Sequence, residues 1–268
     1  MKSYSTVLAI AGSDSGGGAG IQADIKTVTA IGCFATTAVT ALTAQNTQGV
    51  QKIEKISAAF VSEQINSVLT DIGADCIKIG MLQNKEVMLS VSESLSQFPY
   101  IPVVLDPVMV ATSGDCLLEQ SAIEILRKIL NQSVLVTPNK HEAEILSGTE
   151  LSSPKKIQDA CKEIARYGAE NVLIKGGDFD DESSTDTLYI KKDNRFIAFE
   201  SPRIDTKNTH GTGCTYSSAI ASYLAKGHDL EQSIRLAKEY ILNAIKSGAH
   251  YSMGKGRGPV DHSWAQNR

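Results

Sequence analysis

Residues 6–24, TVLAIAGSDSGGGAGIQAD, predict the fold more clearly than any other stretch of the chain. An apolar run at residues 6–11 is followed by a glycine-rich loop at residues 12–20 and by an amphipathic segment that begins at Gly20. A run that is apolar at consecutive positions is typical of a parallel strand, because helices cover both faces of a parallel sheet. Residues 6–24 therefore predict a buried strand, a loop and a helix in that order.

The same succession of apolar runs and amphipathic segments continues along the chain. Buried strands are predicted at residues 6–11, 38–42, 76–79, 103–105, 134–136 and 172–174. Helices are predicted at residues 20–31, 58–72, 85–95, 121–130, 140–146, 154–167, 212–225 and 230–250, and a β-hairpin at residues 186–190 and 196–201. This alternation predicts one α/β domain over residues 1–268, a three-layer α/β/α sandwich with a mostly parallel central sheet and a small β-hairpin.

Composition and charge narrow the class of protein. Of the 268 residues, 42% are apolar and 21% are charged, and the net charge of −4 provides no basic field for nucleic acid or anionic lipid. The five cysteines are widely spaced and form no C-x-x-C pair, which argues against disulfides or a zinc site and for a reducing compartment. No apolar run reaches the length of a signal-peptide core or a membrane span. A cytoplasmic protein that binds neither nucleic acid nor membrane is therefore expected.

The glycine-rich loop at residues 12–20 has two interpretations. Its amides could face a ligand at the start of the next helix, or it could be a tight turn without a ligand. The loop matches neither the G-x-G-x-x-G spacing of dinucleotide folds nor the Lys-Ser/Thr of a P-loop.

A second glycine-containing motif, NTHGTGC at residues 208–214, also precedes a predicted helix. Gly211 and Gly213 leave backbone amides accessible at the positive end of that helix, as in an anion-binding nest. Cys214 falls in the first helical turn, where the dipole is expected to lower the thiol pKa below its usual value of about 8.5. A lone cysteine is more often a core residue, but the two glycines before it have no obvious packing purpose. His210 is more typical of a capping residue, and no catalytic role is assigned to it.

Charged residues follow three other predicted strands. Asp106 ends one strand, Glu142 lies in the motif PNKHE after another, and Lys175 precedes two glycines after a third. Mg²⁺ usually binds one or two carboxylates plus substrate phosphates, and a lysine binds phosphate as a point charge. Each residue alone has an ordinary interpretation as a turn, helix-start or strand-end residue. Because the carboxyl ends of parallel strands meet at one edge of a sheet, a shared crevice is predicted.

Eight segments, taken together, are specific in their number and order. They are GSDSGGGAGIQAD at 12–24, TAQN at 43–46, KIGML at 78–82, LDPVM at 105–109, TPNKHE at 137–142, KGGD at 175–178, NTHGTGC at 208–214 and GKGRGPV at 254–260. Over essentially its whole length the chain resembles the ribokinase-like superfamily and, within it, the hydroxymethylpyrimidine/phosphomethylpyrimidine kinases of thiamine biosynthesis.

The resemblance implies an ATP-dependent kinase that phosphorylates an aminopyrimidine alcohol and then its monophosphate, with Mg²⁺ as cofactor and a homodimer as the expected assembly. The aminopyrimidine is expected to contact Gln45, whose amide both donates and accepts hydrogen bonds. The resemblance places three further residues beside it: Gly12, Asp24 and Met81. Nucleotide phosphates and magnesium are assigned to Asp106, Asn139, Glu142, Lys175 and Thr212, with Asp106 and Glu142 as the metal ligands.

The same resemblance assigns the catalytic residues. Gly211 and Gly213 are expected to hold the transferred phosphoryl group, while Lys175 neutralises its charge. Cys214 is the candidate base, at a position where most sugar kinases of the superfamily have aspartate and the pyrimidine kinases have cysteine. Two alternatives stay open: a cysteine of low pKa is the base, or the anion hole matters more.

Three rival functions are weighed against this one. A pyridoxal kinase of the same superfamily would share the fold and the ATP site, but Gln45 and the N-terminal segments favour the pyrimidine kinases. A Rossmann oxidoreductase or methyltransferase is disfavoured by the glycine spacing. A binding protein on an inactive kinase scaffold would be expected to have lost Asp106, Lys175 or the glycines before Cys214, all of which are present.

Overall fold

The computed structural model describes residues 3–109, 125–126, 129–179 and 183–266. Its strands are β1 (Thr6–Asp14), β2 (Phe34–Asn46), β3 (Gly49–Lys55), β4 (Cys76–Ile79), β5 (Val103–Leu105), β6 (Leu135–Val136), β7 (Asn171–Ile174), β8 (Ser183–Ile190) and β9 (Arg195–Pro202). Its helices are α1 (Gly20–Ala30), α2 (Ala58–Leu69), α3 (Lys85–Leu95), α4 (Lys140–Ser147), α5 (Pro154–Arg166), α6 (Thr212–Ala225) and α7 (Leu230–Gly248), with a 3₁₀ turn at Leu130–Gln132.

The described strands form one sheet in the order β3-β2-β1-β4-β5-β6-β7-β8-β9. The six strands from β2 to β7 in that order are parallel, whereas β3 and the β8–β9 hairpin add antiparallel strands at the two edges. Both faces of β1 are buried in apolar clusters, with Val7 in one large cluster and Leu8 in the other. One cluster contains residues of α2 to α5 and the other contains residues of α1, α6 and α7. The predicted three-layer α/β/α sandwich with a mostly parallel sheet and a hairpin is confirmed.

Local sequence signals explain where several helices begin. The side chains of Asn139, Ser153 and Asp229 accept hydrogen bonds from amides in the first turns of α4, α5 and α7. Pro154 follows its cap at the first helical position, as predicted. Among the helices that the structure describes, none combines the length and apolarity needed to cross a membrane.

Two differences from the sequence prediction concern the edge of the sheet. β3 was not predicted, because its residues GVQKIEK lie at an edge and none of them is fully buried, so the apolar signal is weak. β2 extends from Phe34 to Asn46 and is longer than the predicted strand at 38–42, since threonine and glutamine interrupt its apolar pattern. The helix predicted at 121–130 lies mostly outside the described residues.

A buried ion pair connects the middle of the sheet to two helices. The ammonium group of Lys78 in β4 donates to Asp24 Oδ1 in α1 at 2.8 Å, and neither side chain has exposed surface. Ser218 Oγ in α6 donates to the same carboxylate oxygen at 2.7 Å. Burial disfavours the ammonium form, but the adjacent Asp24 carboxylate outweighs it and raises the pKa of Lys78 to about 12. The pair therefore holds α1 and α6 against β4.

We predict that Asp24→Asn lowers the free energy of unfolding by about 3–5 kcal/mol, because it leaves the Lys78 charge buried without its partner. Denaturant unfolding measures the change. Asp159→Asn is the matched control, since it removes the partner of Lys155 at the same distance of 2.8 Å on the exposed surface of α5. The control should unfold at the wild-type denaturant concentration. An unchanged midpoint for Asp24→Asn would show that the buried pair contributes little.

Candidate active site

A cleft of about 620 Å³ lies beyond the carboxyl ends of the parallel strands. Eleven of the twelve residues predicted for the site line it, and they come from seven separate parts of the chain. They are Gly12, Gln45, Met81, Asp106, Asn139, Glu142, Lys175, Gly211, Thr212, Gly213 and Cys214. The predicted shared crevice is present.

Asp24 is the exception. Its side chain is fully buried in the ion pair with Lys78 and does not line the cleft. The expected contact between Asp24 and the substrate is therefore not supported by the geometry. The sequence could not show whether the Asp24 side chain faces the cleft or the protein interior. Asp24 lies in the first helix after the glycine-rich loop, where both orientations are compatible with the pattern.

Gly12 and Met81 meet at one end of the cleft. A Cβ atom on Gly12 would lie 2.2 Å from Met81 Cε, so glycine at this position lets the Met81 side chain pack directly against the backbone. Met81 itself is 7% exposed, and Thr40 Oγ1 donates to its carbonyl at 2.6 Å. The two residues form a fixed apolar wall at this end.

Gln45 is held by both its backbone and its side chain. Its amide donates to Ser15 Oγ and its carbonyl accepts from the same hydroxyl, both at 2.8 Å. Its Oε1 accepts from Thr43 Oγ1 at 3.1 Å, while its Nε2 lies 3.4 Å from His210 Nε2. The side-chain amide therefore enters the cleft from a position that three neighbouring side chains restrict.

The glycine-rich loop encloses the carboxylate of Asp14. The amides of Gly16, Gly18 and Ala19 donate to this carboxylate at 2.8, 3.0 and 2.8 Å, and His210 Nε2 lies 2.8 Å from Oδ2. Burial acts to raise the pKa of Asp14, but the bonds from His210 and the loop amides outweigh it and lower that pKa. Neither Asp14 nor His210 was predicted as a site residue. An aspartate among loop glycines is nevertheless a local signal, since aspartate often accepts hydrogen bonds from amides of its own turn.

Lys175 and two carboxylates form the opposite end of the cleft. Lys175 Nζ lies 2.7 Å from Asp106 Oδ1 and 3.9 Å from Glu142 Oε2. Asp106 also accepts from Ser217 Oγ at 3.2 Å and from Thr137 Oγ1 at 3.3 Å. Burial opposes ionisation of Asp106, but Lys175 outweighs it and lowers the pKa of this carboxyl group, while the pKa of Lys175 is raised. A buried lysine with its charge retained is suited to bind a phosphate.

Glu142 combines a structural contact with a position in the cleft. Its Oε2 accepts from the amide of Asn139 at 2.8 Å, and Asn139 Oδ1 accepts from the amide of Glu142 at 2.9 Å, which is a capping box. Burial, followed by the nearby Asp106 carboxylate, raises the pKa of Glu142 to about 7 although Lys175 acts against it. Glu142 therefore both caps the start of α4 and lines the cleft.

The loop at residues 208–214 places amides at the N-terminus of α6. Gly211 has a φ of 81°, and a Cβ atom there would lie 1.8 Å from the Gly18 carbonyl oxygen, so glycine is required. Within the described residues, the amides of Gly211, Gly213 and Cys214 donate to no protein acceptor. The amide and hydroxyl of Thr212 instead donate to the Thr209 carbonyl at 3.2 and 2.7 Å. The anion nest therefore consists of three amides and excludes that of Thr212.

The expectation of a low thiol pKa at Cys214 is wrong. Burial raises the pKa of Cys214 to about 11. The buried Lys78 ammonium and the Gly20 amide act to lower it, whereas Asp24 and Asp106 act with burial. Desolvation outweighs the Lys78 charge and the Gly20 amide here, so a neutral thiol is favoured in the protein without nucleotide.

A third group of charged residues lines the cleft near Lys175 and was missed in the sequence. Asp186 in β8 accepts from the Gly176 amide at 2.7 Å, from Tyr216 Oη at 2.8 Å and from Lys238 Nζ at 2.8 Å. These bonds fix the turn that follows Lys175. No local pattern indicates the group, because its members come from four different elements.

Together these features define an α/β phosphotransferase of the small-molecule kinase class. A largely buried lysine, two adjacent carboxylates and helix-start amides lie at one end of a cleft, and Gly12, Met81 and the Gln45 amide line the other end. The comparisons with known proteins agree. Residues 14–261 match the family model described as phosphomethylpyrimidine kinase, and the chain belongs to that family.

Several relatives and solved structures are similar over nearly the whole chain. A hydroxymethylpyrimidine/phosphomethylpyrimidine kinase of Haemophilus influenzae is 43% identical, with 100% of each chain covered. A thiamine biosynthesis bifunctional protein of Geobacter sulfurreducens is 46% identical over 96% of this chain, which spans only 52% of that relative. The solved ADP complex of Bacillus subtilis pyridoxal kinase superimposes with a TM-score of 0.90 at 34% identity, covering 99% of this chain and 100% of that one. The predicted ribokinase-like kinase fold is confirmed.

We predict that Cys214 in the protein without nucleotide reacts with iodoacetamide at a rate that rises about tenfold per pH unit between about pH 7 and pH 9.5, because only the thiolate reacts. Peptide mass spectrometry follows the modification of this residue. Cys33, Cys76 and Cys161 are buried and serve as internal references. A rate that levels off near pH 8 would contradict the raised pKa.

Proposed function

We propose that this chain transfers the γ-phosphoryl group of ATP to 4-amino-5-hydroxymethyl-2-methylpyrimidine and then to the resulting monophosphate, giving the diphosphate used in thiamine biosynthesis. The observation that carries the proposal is the position of Gln45, fixed at one end of the same cleft in which Lys175 and the α6 amides form the other. The names of the relatives support the same pair of reactions.

The acceptor is recognised through hydrogen bonds at Gln45. Thr43 Oγ1 lies 3.1 Å from Oε1 and 2.8 Å from the Ser13 carbonyl oxygen, and its single hydrogen is shared between these two acceptors. At least one lone pair of Oε1 and the Nε2 hydrogens are therefore left for a ligand. An aminopyrimidine edge offers a ring nitrogen that accepts and an amino group that donates. The two sets are complementary, and Met81 and Gly12 provide the apolar contact beside them.

Phosphoryl transfer is then a matter of positioning and charge. The acceptor oxygen forms a bond to the γ-phosphorus while the bond from that phosphorus to the β-γ bridging oxygen of ATP breaks. Lys175 and the amides of Gly211, Gly213 and Cys214 stabilise the charge on the moving phosphoryl group. Because the pKa of Cys214 is raised to about 11, the neutral thiol favours the alternative in which the anion hole matters more than a preformed base. The hydroxyl proton leaves late in such a loose transition state and passes to a non-bridging oxygen of the transferred phosphoryl group, from which it is lost to solvent.

Magnesium suits the Lys175 end of the cleft. Asp106 and Glu142 supply the carboxylate oxygens that Mg²⁺ prefers, with ATP phosphates completing the coordination. The pKa of Glu142 is raised to about 7 by burial and by the neighbouring carboxylates. In the protein alone, the positive charge of Lys175 does not fully offset these effects on the Glu142 carboxylate. A bound Mg²⁺ would screen the phosphate charge, with Asp106 and Glu142 holding it and Asn139 orienting Glu142.

Pyridoxal is the second candidate acceptor, favoured by the similarity to the Bacillus subtilis pyridoxal kinase structure. It presents a hydroxymethyl group on a six-membered ring but lacks the exocyclic amino group. Gln45 is therefore expected to favour the pyrimidine. The homodimer, the single domain and the cytoplasmic location remain predictions.

We predict that ADP release is faster with the aminopyrimidine alcohol and its monophosphate than with pyridoxal. Gln45→Leu should raise the KM for the alcohol by an amount equivalent to about 1–3 kcal/mol, because polar groups of the ligand lose their partners. The KM for ATP should remain near wild type. Unchanged affinity for the alcohol in a calorimetric titration of this variant would remove Gln45 from the recognition site.

We predict that the Mg²⁺ concentration required for activity falls as pH rises from about pH 6 to pH 8, because a proton competes with the metal at Glu142, whose pKa is raised to about 7. Glu142→Gln should require more Mg²⁺ and lose this pH effect, yet it retains a residue type that completes the capping box. ATP itself titrates identically in assays of the wild type and of Glu142→Gln, so the difference between the two proteins reports Glu142 alone. Identical Mg²⁺ titrations would leave Glu142 with a helix-start role alone.

A further inference from the structure

The segment GKGRGPV at residues 254–260, here named the strap, has no part in the chemistry described so far. Its first half contacts the turn between β2 and β3. The amides of Lys255 and Gly256 donate to Thr47 Oγ1 at 3.2 and 3.1 Å, and the amide of Arg257 donates to the Thr47 carbonyl at 3.0 Å. Thr47 lies two residues after Gln45, so the strap holds the turn that carries the proposed recognition residue.

The second half of the strap contacts the loop that leads into α6. The amide of His210 donates to the Gly258 carbonyl at 3.0 Å, and the amide of Val260 donates to the His210 carbonyl at 3.3 Å. His210 is the residue directly before Gly211 and the anion nest. One short segment is therefore bonded both to the turn that follows Gln45 and to the residue that precedes the anion nest.

The alternating glycines of the strap have a steric reason. A Cβ atom on Gly256 would lie 1.8 Å from the Thr47 carbonyl oxygen, and one on Gly254 would lie 2.2 Å from Thr47 Oγ1. A Cβ atom on Gly258 would lie 2.3 Å from Asn208 Oδ1. Each glycine permits close contact with one of the two segments that the strap joins.

His210 completes the connection through its side chain. Its Nε2 contacts Asp14 Oδ2 at 2.8 Å and lies 3.4 Å from Gln45 Nε2. Because a proton on Nε2 is donated to Asp14, this nitrogen cannot also accept from the Gln45 amide. The Nε2 hydrogens of Gln45 thus remain available to a ligand, provided that the strap keeps His210 and the β2–β3 turn in these positions.

We infer that the strap is a positioning element that sets the place of Gln45 relative to the anion nest, and that Thr47 is the positioning residue through which it acts on pyrimidine recognition. The inference rests on the role proposed for Gln45. Thr47 itself does not line the cleft. Its contribution is to keep the recognition end and the phosphoryl end at the separation that the substrate requires.

The test compares Thr47→Val, which keeps the shape of the side chain but removes the acceptor of two strap amides, with Thr47→Ser, which retains it. Thr47→Val should raise the KM for the aminopyrimidine alcohol about 3- to 10-fold, as expected for lost hydrogen bonds, with the KM for ATP and the melting temperature near wild type. Thr47→Ser should behave as wild type. Lys255→Ala is the control, because the strap uses only the backbone amide of this residue, and it should leave every parameter unchanged.

Adding Thr47→Val to Gln45→Leu distinguishes a failure of the inference from a failure of the proposed function. If the strap acts through Gln45, the second substitution adds no further increase in KM. Equal increases in both backgrounds would overturn the inference, as would a lower melting temperature with an unchanged KM in Thr47→Val. If Gln45→Leu alone leaves the KM unchanged, the recognition role of Gln45 is the part that fails.

Discussion

The ion pair between Lys78 and Asp24 is the constraint on which the active site depends. It joins the central strand β4 to α1 and, through Ser218, to α6, with no exposed surface on either charged side chain. α1 begins at the end of the glycine-rich loop, and α6 begins at the anion nest. Because a buried charge that loses its partner is strongly unfavourable, the two helix starts are held in register with the sheet by electrostatics as well as by apolar packing.

The same buried charges determine the state of the site before substrates bind. Lys175 and Lys78 lower the pKa of Asp106 against the effect of its burial, but Lys78 does not lower the pKa of Cys214 enough to offset the burial of that thiol. The outcome is a neutral thiol beside ionised groups. A site arranged in this way stabilises phosphate charge through fixed dipoles and cations that need no reorganisation, which is how electrostatic catalysis is most effective.

The cleft divides into two ends that differ in how specific they are. Lys175, its carboxylates and the α6 amides suit phosphoryl transfer from ATP to many alcohols. Gln45, Met81 and Gly12 are the residues proposed to select the acceptor. Such a division is consistent with the close superposition of a pyridoxal kinase on this member of the phosphomethylpyrimidine kinase family. In this proposal the fold and the phosphate chemistry are shared, whereas the choice of acceptor depends on a few side chains at the β2 end.

The sequence by itself determined the parallel sheet and most of the helices, and eleven of the twelve residues that it predicted for the site do line the cleft, because buried strands, helix caps and glycine motifs are local patterns. Tertiary structure alone decided the rest. The burial of Asp24, the raised pKa of Cys214 and the cluster around Asp186 all depend on which distant residues and how much solvent surround a side chain. Desolvation and contacts between remote segments leave no periodic trace in the chain, so no local pattern can predict them.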